Sequence, residues 1–279
     1  MGNEVSRARM LTVSSFLVNF GVQTYGMITT PNMKDIAEAN HFAFSPNPWF
    51  IAAFFSGQVV LQLAWIRELF KHDPPNGYEK IPGTPSPPTL TGPEQPMLPP
   101  AEGKDEKRAW KVALDYAPVY ALGNLCIAGW LFFWLREEFV SSQVLVTINT
   151  VAQLVAVAAL PPLTPTSPML HRLTHLVAKT FAGVGVLDFI DNGGVVLQYR
   201  APPSAFVQAL TYICFPVVAL NSSPIFGSVL LYDLVAIAVG QAGVYGAGPW
   251  PMRLGWTSLA TSILVGIKVI PTIGQYWRR

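Results

Sequence analysis

His41-Phe42-Ala43-Phe44-Ser45-Pro46-Asn47-Pro48-Trp49-Phe50 leads without a break into the apolar run Ile51–Phe70. Pro46 and Pro48 fix φ and bar a helix across Ser45–Asn47. Pro48 then suits the first turn of the helix that follows. Aromatic rings crowd this start, and amphipathic rings favour the membrane–water boundary. A bilayer-crossing helix needs about 20 mostly apolar residues, so the segment reads as the rigid, aromatic mouth of a membrane helix.

The same measure, carried outward, finds runs at Met10–Thr29, Trp49–Phe70, Trp110–Leu135, Phe139–Leu160, Leu173–Asp191, Ala205–Leu220, Ile225–Val244 and Gly255–Pro271. The expected fold class is all-α: a polytopic membrane helix bundle of about eight transmembrane helices. Seven is the count if the sixth run, which is short and carries Pro216, does not cross. Composition agrees, with 51% hydrophobic and only 12% charged residues, about half the charged share of a soluble domain. A net charge of +2 and the absence of a basic run exclude a nucleic-acid-binding surface. Cys126 and Cys214 fall inside apolar runs and read as small hydrophobes.

Three parts are expected: residues 1–70 as an N-terminal helix pair with its aromatic, Pro-rich mouth, 71–109 as a disordered Pro-rich loop, and 110–279 as a six-helix membrane portion. The middle part contains Gly83-Thr84-Pro85-Ser86-Pro87-Pro88 and Pro96-Met97-Leu98-Pro99-Pro100, which cannot bury enough apolar surface to offset ordering entropy. The first run contains Asn19, Gln23 and Tyr25 and no small-residue cleavage site, so a retained helix is expected rather than a signal peptide. Gly2 fits the loose myristoylation pattern.

Orientation follows from the basic residues. With eight crossings, 12 lysines and arginines fall on the side of both termini and the Pro-rich loop, and 4 fall on the other: Lys34, Arg136, Arg200 and Arg253. Both termini are therefore expected in the cytoplasm. Asn221-Ser222-Ser223, the acceptor for N-glycosylation, falls on that side too.

Ionisable groups at membrane depth are costly and face a bundle interior or a wet cavity. The candidate buried charges are Lys179, Asp188, Asp233 and Lys268. Lys179 and Asp188 are nine residues apart, on opposite faces of one helix, so partners must come from other helices. A salt bridge of Asp233 with Lys268 or Lys179 is the expected pairing. Gln58 with Gln62, and Asn149 with Gln153, are i and i+4 pairs that suit interhelical hydrogen bonds. His171 and His175 share that spacing, but a metal site needs a third ligand, and none is expected. No nucleophile triad, phosphate loop or dinucleotide fingerprint is present.

Phe44-Ser45-Pro46-Asn47-Pro48-Trp49-Phe50, taken with Asn124, Trp130, Phe132, Phe133 and Trp134, resembles the tryptophan-rich sensory protein family, also called translocator protein. The resemblance covers about the first half of the chain. It implies a helix bundle that binds tetrapyrroles, sterols or other apolar ligands, with Phe44, Trp49, Asn124, Trp130 and Trp134 as the ligand-binding residues.

The expected function is binding or transport of a hydrophobic small molecule (tetrapyrrole-, sterol- or isoprenoid-like) within the bundle. The alternative is a membrane-embedded enzyme of cyclase or isomerase type, with Asp188 or Asp233 as general acid. A third reading places a retinal-type Schiff base on Lys268. The expected partners are the bilayer, the ligand and a second copy of the chain; no cofactor is specified by the residues.

Overall fold

The computed structural model describes residues 2–71 and 100–277, with side chains at 3–71 and 103–270. Most of the Pro-rich segment expected to be a disordered loop lies outside the described residues. The described residues form helices joined by turns and links, with no strand among them. Each of the eight expected apolar runs falls on a helix: α1 (Gly2–Ile28), α3 (Pro48–Lys71), α4 (Pro100–Trp134), α5 (Phe139–Ala159), α6 (Met169–Val196), α7 (Ala205–Asn221), α8 (Pro224–Gly240), which stops short of the expected Val244, and α9 (Trp250–Trp277). A short helix, α2 (Met33–Ala39), follows α1. Helices dominate because a backbone in hydrocarbon must satisfy its polar groups within the segment.

Among the described residues, five helices are long and apolar enough to cross a membrane: α3, α4, α5, α6 and α9. This is the architecture of a multi-pass membrane protein. α7 and α8 are apolar but only 17 residues each, the lower limit for a span. α4 begins at Pro100, ten residues before the apolar run Trp110–Leu135, because a helix needs no apolar sequence where it rises clear of the bilayer. Its first turns carry Lys104, Asp105, Lys107 and Arg108.

α6 is the central helix and packs against α3, α4, α5 and α8, while α1 lies along α4 and α7 pairs with α8 and α9. The chain runs up and down between two ends. At the end holding the start of α1, Arg9 donates to the Leu69 carbonyl at 2.7 Å and Trp65 Nε1 donates to Thr174 at 2.9 Å. Trp65, Trp110, Tyr116 and Tyr120 are buried there.

The opposite end is organised around the segment quoted first. Residues 42–47 are held from three elements: Asn47 N donates to Ala236 O (2.9 Å), Gln241 Nε2 donates to Phe42 O (2.7 Å) and Ser45 O (3.1 Å), and Trp250 Nε1 donates to Ala43 O (2.9 Å). Ala43 N also donates to Tyr199 O at 2.9 Å. The two prolines keep this stretch out of a helix, so its polar backbone groups take partners from α8, α9 and the α6–α7 link instead. Gly240 makes the approach possible, since a Cβ there would meet the backbone of Ser45–Asn47.

Candidate functional site

α2 owes its existence to a local signal. Asn32 Oδ1 accepts from Lys34 N and Asp35 N while Asp35 accepts from Asn32 N, a closed capping box. This places a short amphipathic helix over the end of the bundle, where Ile36 is buried with Leu131, Trp134 and Val195.

Beneath α2 lies a cavity of about 290 Å³, walled by the ends of α1, α3, α4 and α6 and by the 40–48 segment. Three of the five residues expected to bind ligand meet there: Trp49, Trp130 and Trp134, together with the acid candidate Asp188. Trp130 and Trp134 are one turn apart and stack with ring centroids 5.5 Å from each other. Trp134 Nε1 donates to Met33 O at 3.3 Å, and Trp130 Nε1 donates to Asn192 Oδ1 at 3.2 Å. Asn192 in turn accepts from Ser142 (2.8 Å) and donates to Gln143 (2.7 Å), so its amide fixes the indole from behind.

The polar wall comes from α6. Asp188 and Asp191 are i and i+3, on one helix face, and both line the cavity. Ser45 Oγ donates to Asp191 Oδ1 at 2.8 Å and accepts from Phe42 N, joining the carboxylate to the proline segment. His41 stands at the same wall, its Nε2 3.2 Å from Gln241 Nε2. Burial pushes the His41 imidazole below its ordinary value of 6.5, with the Gly240 carbonyl and Glu38 opposing the shift. Lys34, also at the cavity, is ion-paired to Glu38 at 2.9 Å.

A second cavity, about 350 Å³, runs between α1 and α3 and is lined by Phe16, Phe20, Phe55 and Val59 among others. Gln23, Met27 and Phe55 belong to both walls.

The remaining sequence-chosen residues lie elsewhere. Phe44 is packed edge-on against Trp250, centroids 5.8 Å apart, and belongs to the core under the proline segment. Asn124 is buried between α1 and α4, accepting from Asn19 at 2.8 Å and donating to Tyr120 O. It joins helices rather than lining the cavity. Of the four candidate buried charges, Asp233 is fully buried, whereas Lys179, Asp188 and Lys268 are partly exposed.

The expected salt bridge of Asp233 is absent among the described residues: neither carboxylate oxygen has a hydrogen-bond partner, and its charged neighbour is Asp188. Lys268 Nζ instead donates to the carbonyls of Leu220 (2.7 Å) and Ser222 at the end of α7, where a cation satisfies carbonyls that the helix leaves open. Lys179 lies by His175 and His171. Those two rings are buried in contact, centroids 4.9 Å apart, and no group of three metal-ligating side chains occurs among the described residues.

The expected interhelical amide bonds are present at Gln58, which accepts from Thr180 (2.9 Å), at Gln62, which accepts from Tyr120 (2.6 Å), and at Gln153, which accepts from Tyr116 (2.9 Å). Asn149 has no such partner among the described residues. Site residues not foreseen are Gln23, His41, Ser45, Phe55, Asp191 and Asn192. The Asn32-Met33-Lys34-Asp35 capping signature was the readable clue to α2, and with it to a covered cavity. No family model, curated protein or solved structure matches the chain.

Proposed function

We propose that the chain binds, or carries between leaflets, a hydrophobic small molecule taken from the bilayer, and that its binding site is the cavity under α2. The observation that carries this is the convergence of Trp49, Trp130 and Trp134 with Asp188 around about 290 Å³. Small-molecule sites are concave, mostly aromatic or aliphatic, and furnished with a few converging polar groups. The resemblance to the tryptophan-rich sensory protein family is part of this proposal and supports an apolar ligand. In the same reading α1, α7 and α8 also cross, giving eight passes. The excess of basic residues beside the termini then puts these in the cytoplasm and the cavity at the opposite face.

The test is the set of molecules that co-purify with the detergent-extracted protein, identified by mass spectrometry. A species retained by the parent and lost from Trp134→Ala supports the site. An identical complement in both, from equally folded protein, overturns it.

One observation favours an enzymatic reading of the same cavity: Asp188 and Asp191 share a wall with His41. Carboxyl and imidazole groups converging on one space can exchange protons with a bound alkene or alcohol. In that reading Asp188 is the acid, because it reaches the cavity; Asp233 sits behind it. Conversion of the co-purifying species on incubation, abolished by Asp188→Asn, distinguishes an enzyme from a binder.

A further inference from the structure

The two cavities share Gln23, Met27 and Phe55, and their ends differ in chemistry. The end under α2 presents two carboxylates and three indoles. Lys34, the cation beside it, is committed to Glu38. The α1–α3 end is uncharged, with Phe16, Phe20, Phe55 and Val59 beside the neutral polar side chains of Asn19, Thr24, Ser56 and Gln62, on helices that touch only sparingly. Between them, Gln23 is nine-tenths buried and its Nε2 has no hydrogen-bond partner among the described residues. A buried amide donor without a partner, on a residue that lines both cavities, is an acceptor-seeking group.

We propose that the two cavities form one site for a long-chain amine bearing an oxygen near its head, entering from the bilayer between α1 and α3. This rests on the ligand-binding reading above and narrows it. The ammonium lies between the Asp188 and Asp191 carboxylates and the half-buried indole of Trp130, which Trp134 backs by stacking, so that ion pairing and the ring quadrupole act together. Gln23 donates to the oxygen. The alkyl chain extends past Phe55 into the α1–α3 groove, which opens sideways towards lipid. An anionic head would face the two carboxylates with no uncommitted cation on the wall, and is rejected.

The experiment uses the full chain in phosphatidylcholine nanodiscs, with empty nanodiscs as blank. The tritiated probes are a C18 2-amino-1,3-diol and the C18 1,3-diol that lacks the amine. The amine is expected to bind saturably, and the diol about tenfold or more weaker, which is the scale of a charge-assisted contact. Asp188→Asn with Asp191→Asn should bring the amine down to the level of the diol. Gln23→Leu should weaken both probes, since both carry the oxygen. Val59→Trp, in the groove, should weaken the C18 amine while sparing a C8 homologue. Equal binding of amine and diol by the parent overturns the amine while leaving an apolar-ligand site standing. Binding of neither overturns both. The comparison of probes on the parent decides the matter even if the double variant fails to fold.

Discussion

Gly240→Ala tests the arrangement on which the cavity depends. A Cβ at this position would lie 2.5 Å from Pro46 C and 2.6 Å from Asn47 N, and closer still to Ser45 O. Ordinary contact begins at 3.4 Å, so relief requires a displacement of about 1 Å. The atoms in the way are backbone, not the free end of a side chain. They are also held: Asn47 N by Ala236 O, Ser45 O by Gln241, Ser45 Oγ by Asp191.

Overpacking of this kind costs about 1–3 kcal/mol, and each hydrogen bond lost in the shift adds about 0.5–1.5 kcal/mol. The opposing gain from replacing glycine in a helix is about 0.5–1 kcal/mol. A net loss of about 2–3 kcal/mol follows, or a fall in melting temperature of about 5–10 °C for a chain of this size. The assay is thermal unfolding in detergent, with Gly57→Ala as control, because a Cβ at Gly57 meets nothing within 4 Å. The control should match or slightly exceed the parent. If Gly240→Ala is as stable as Gly57→Ala, the segment is not clamped against α8 as described and the reasoning fails.

The charges give a second test: Asp233→Asn should stay within about 1 kcal/mol of the parent by thermal unfolding, since it leaves no lysine orphaned, and it should add independently to Lys268→Met, within about 0.5 kcal/mol. Strong coupling between the two would restore the salt bridge. At Asn19 and Asn124, a double-mutant cycle to alanine should show a coupling of about 0.6 kcal/mol, the mean for hydrogen bonds between membrane helices, and at most about 1.7 kcal/mol; zero coupling would refute the bond as a link between α1 and α4. His41 supplies a pH dependence. Its native value is depressed, so the unfolded chain binds the extra proton, and stability should fall as pH drops below 6.5 until the native value is passed, at up to about 1.4 kcal/mol per pH unit. His41→Gln should flatten that slope between pH 7 and 5, measured as melting temperature; an unchanged slope would assign it to other groups.

Eight of the helices were legible because each carries a continuous apolar run, and a backbone in hydrocarbon has no alternative to a helix. Trp130 and Trp134 were legible as a pair for a similar reason: i and i+4 spacing puts two rings on one face wherever the helix goes. The proline segment was readable as non-helical from Pro46 and Pro48 alone. Its role was not, because the atoms that hold it belong to Gln241, Trp250 and Tyr199, more than 150 residues away in sequence.

Lateral partners are the missing information in a single sequence, and the charges show its consequence. Asp233 and Lys268 are the pair that spacing and depth suggest, yet they face different neighbours: a carboxylate on one side, the open carbonyls of α7 on the other. Rotation of a helix by one residue, 100°, decides between the two outcomes, and apolar α8 gives no periodic stripe from which to read its rotation. α6 is different. Gly183 and Gly185 let α8 and α5 approach it closely, and the face it then turns to α4 carries Asp188 and Asp191 on the wall they share with Trp130 and Trp134. The acidic wall of the cavity is thus a product of where α6 lacks side chains as much as of where it carries carboxylates. Replacing Gly183 by valine should therefore push α8 away at Val229 and weaken ligand binding without touching the cavity wall.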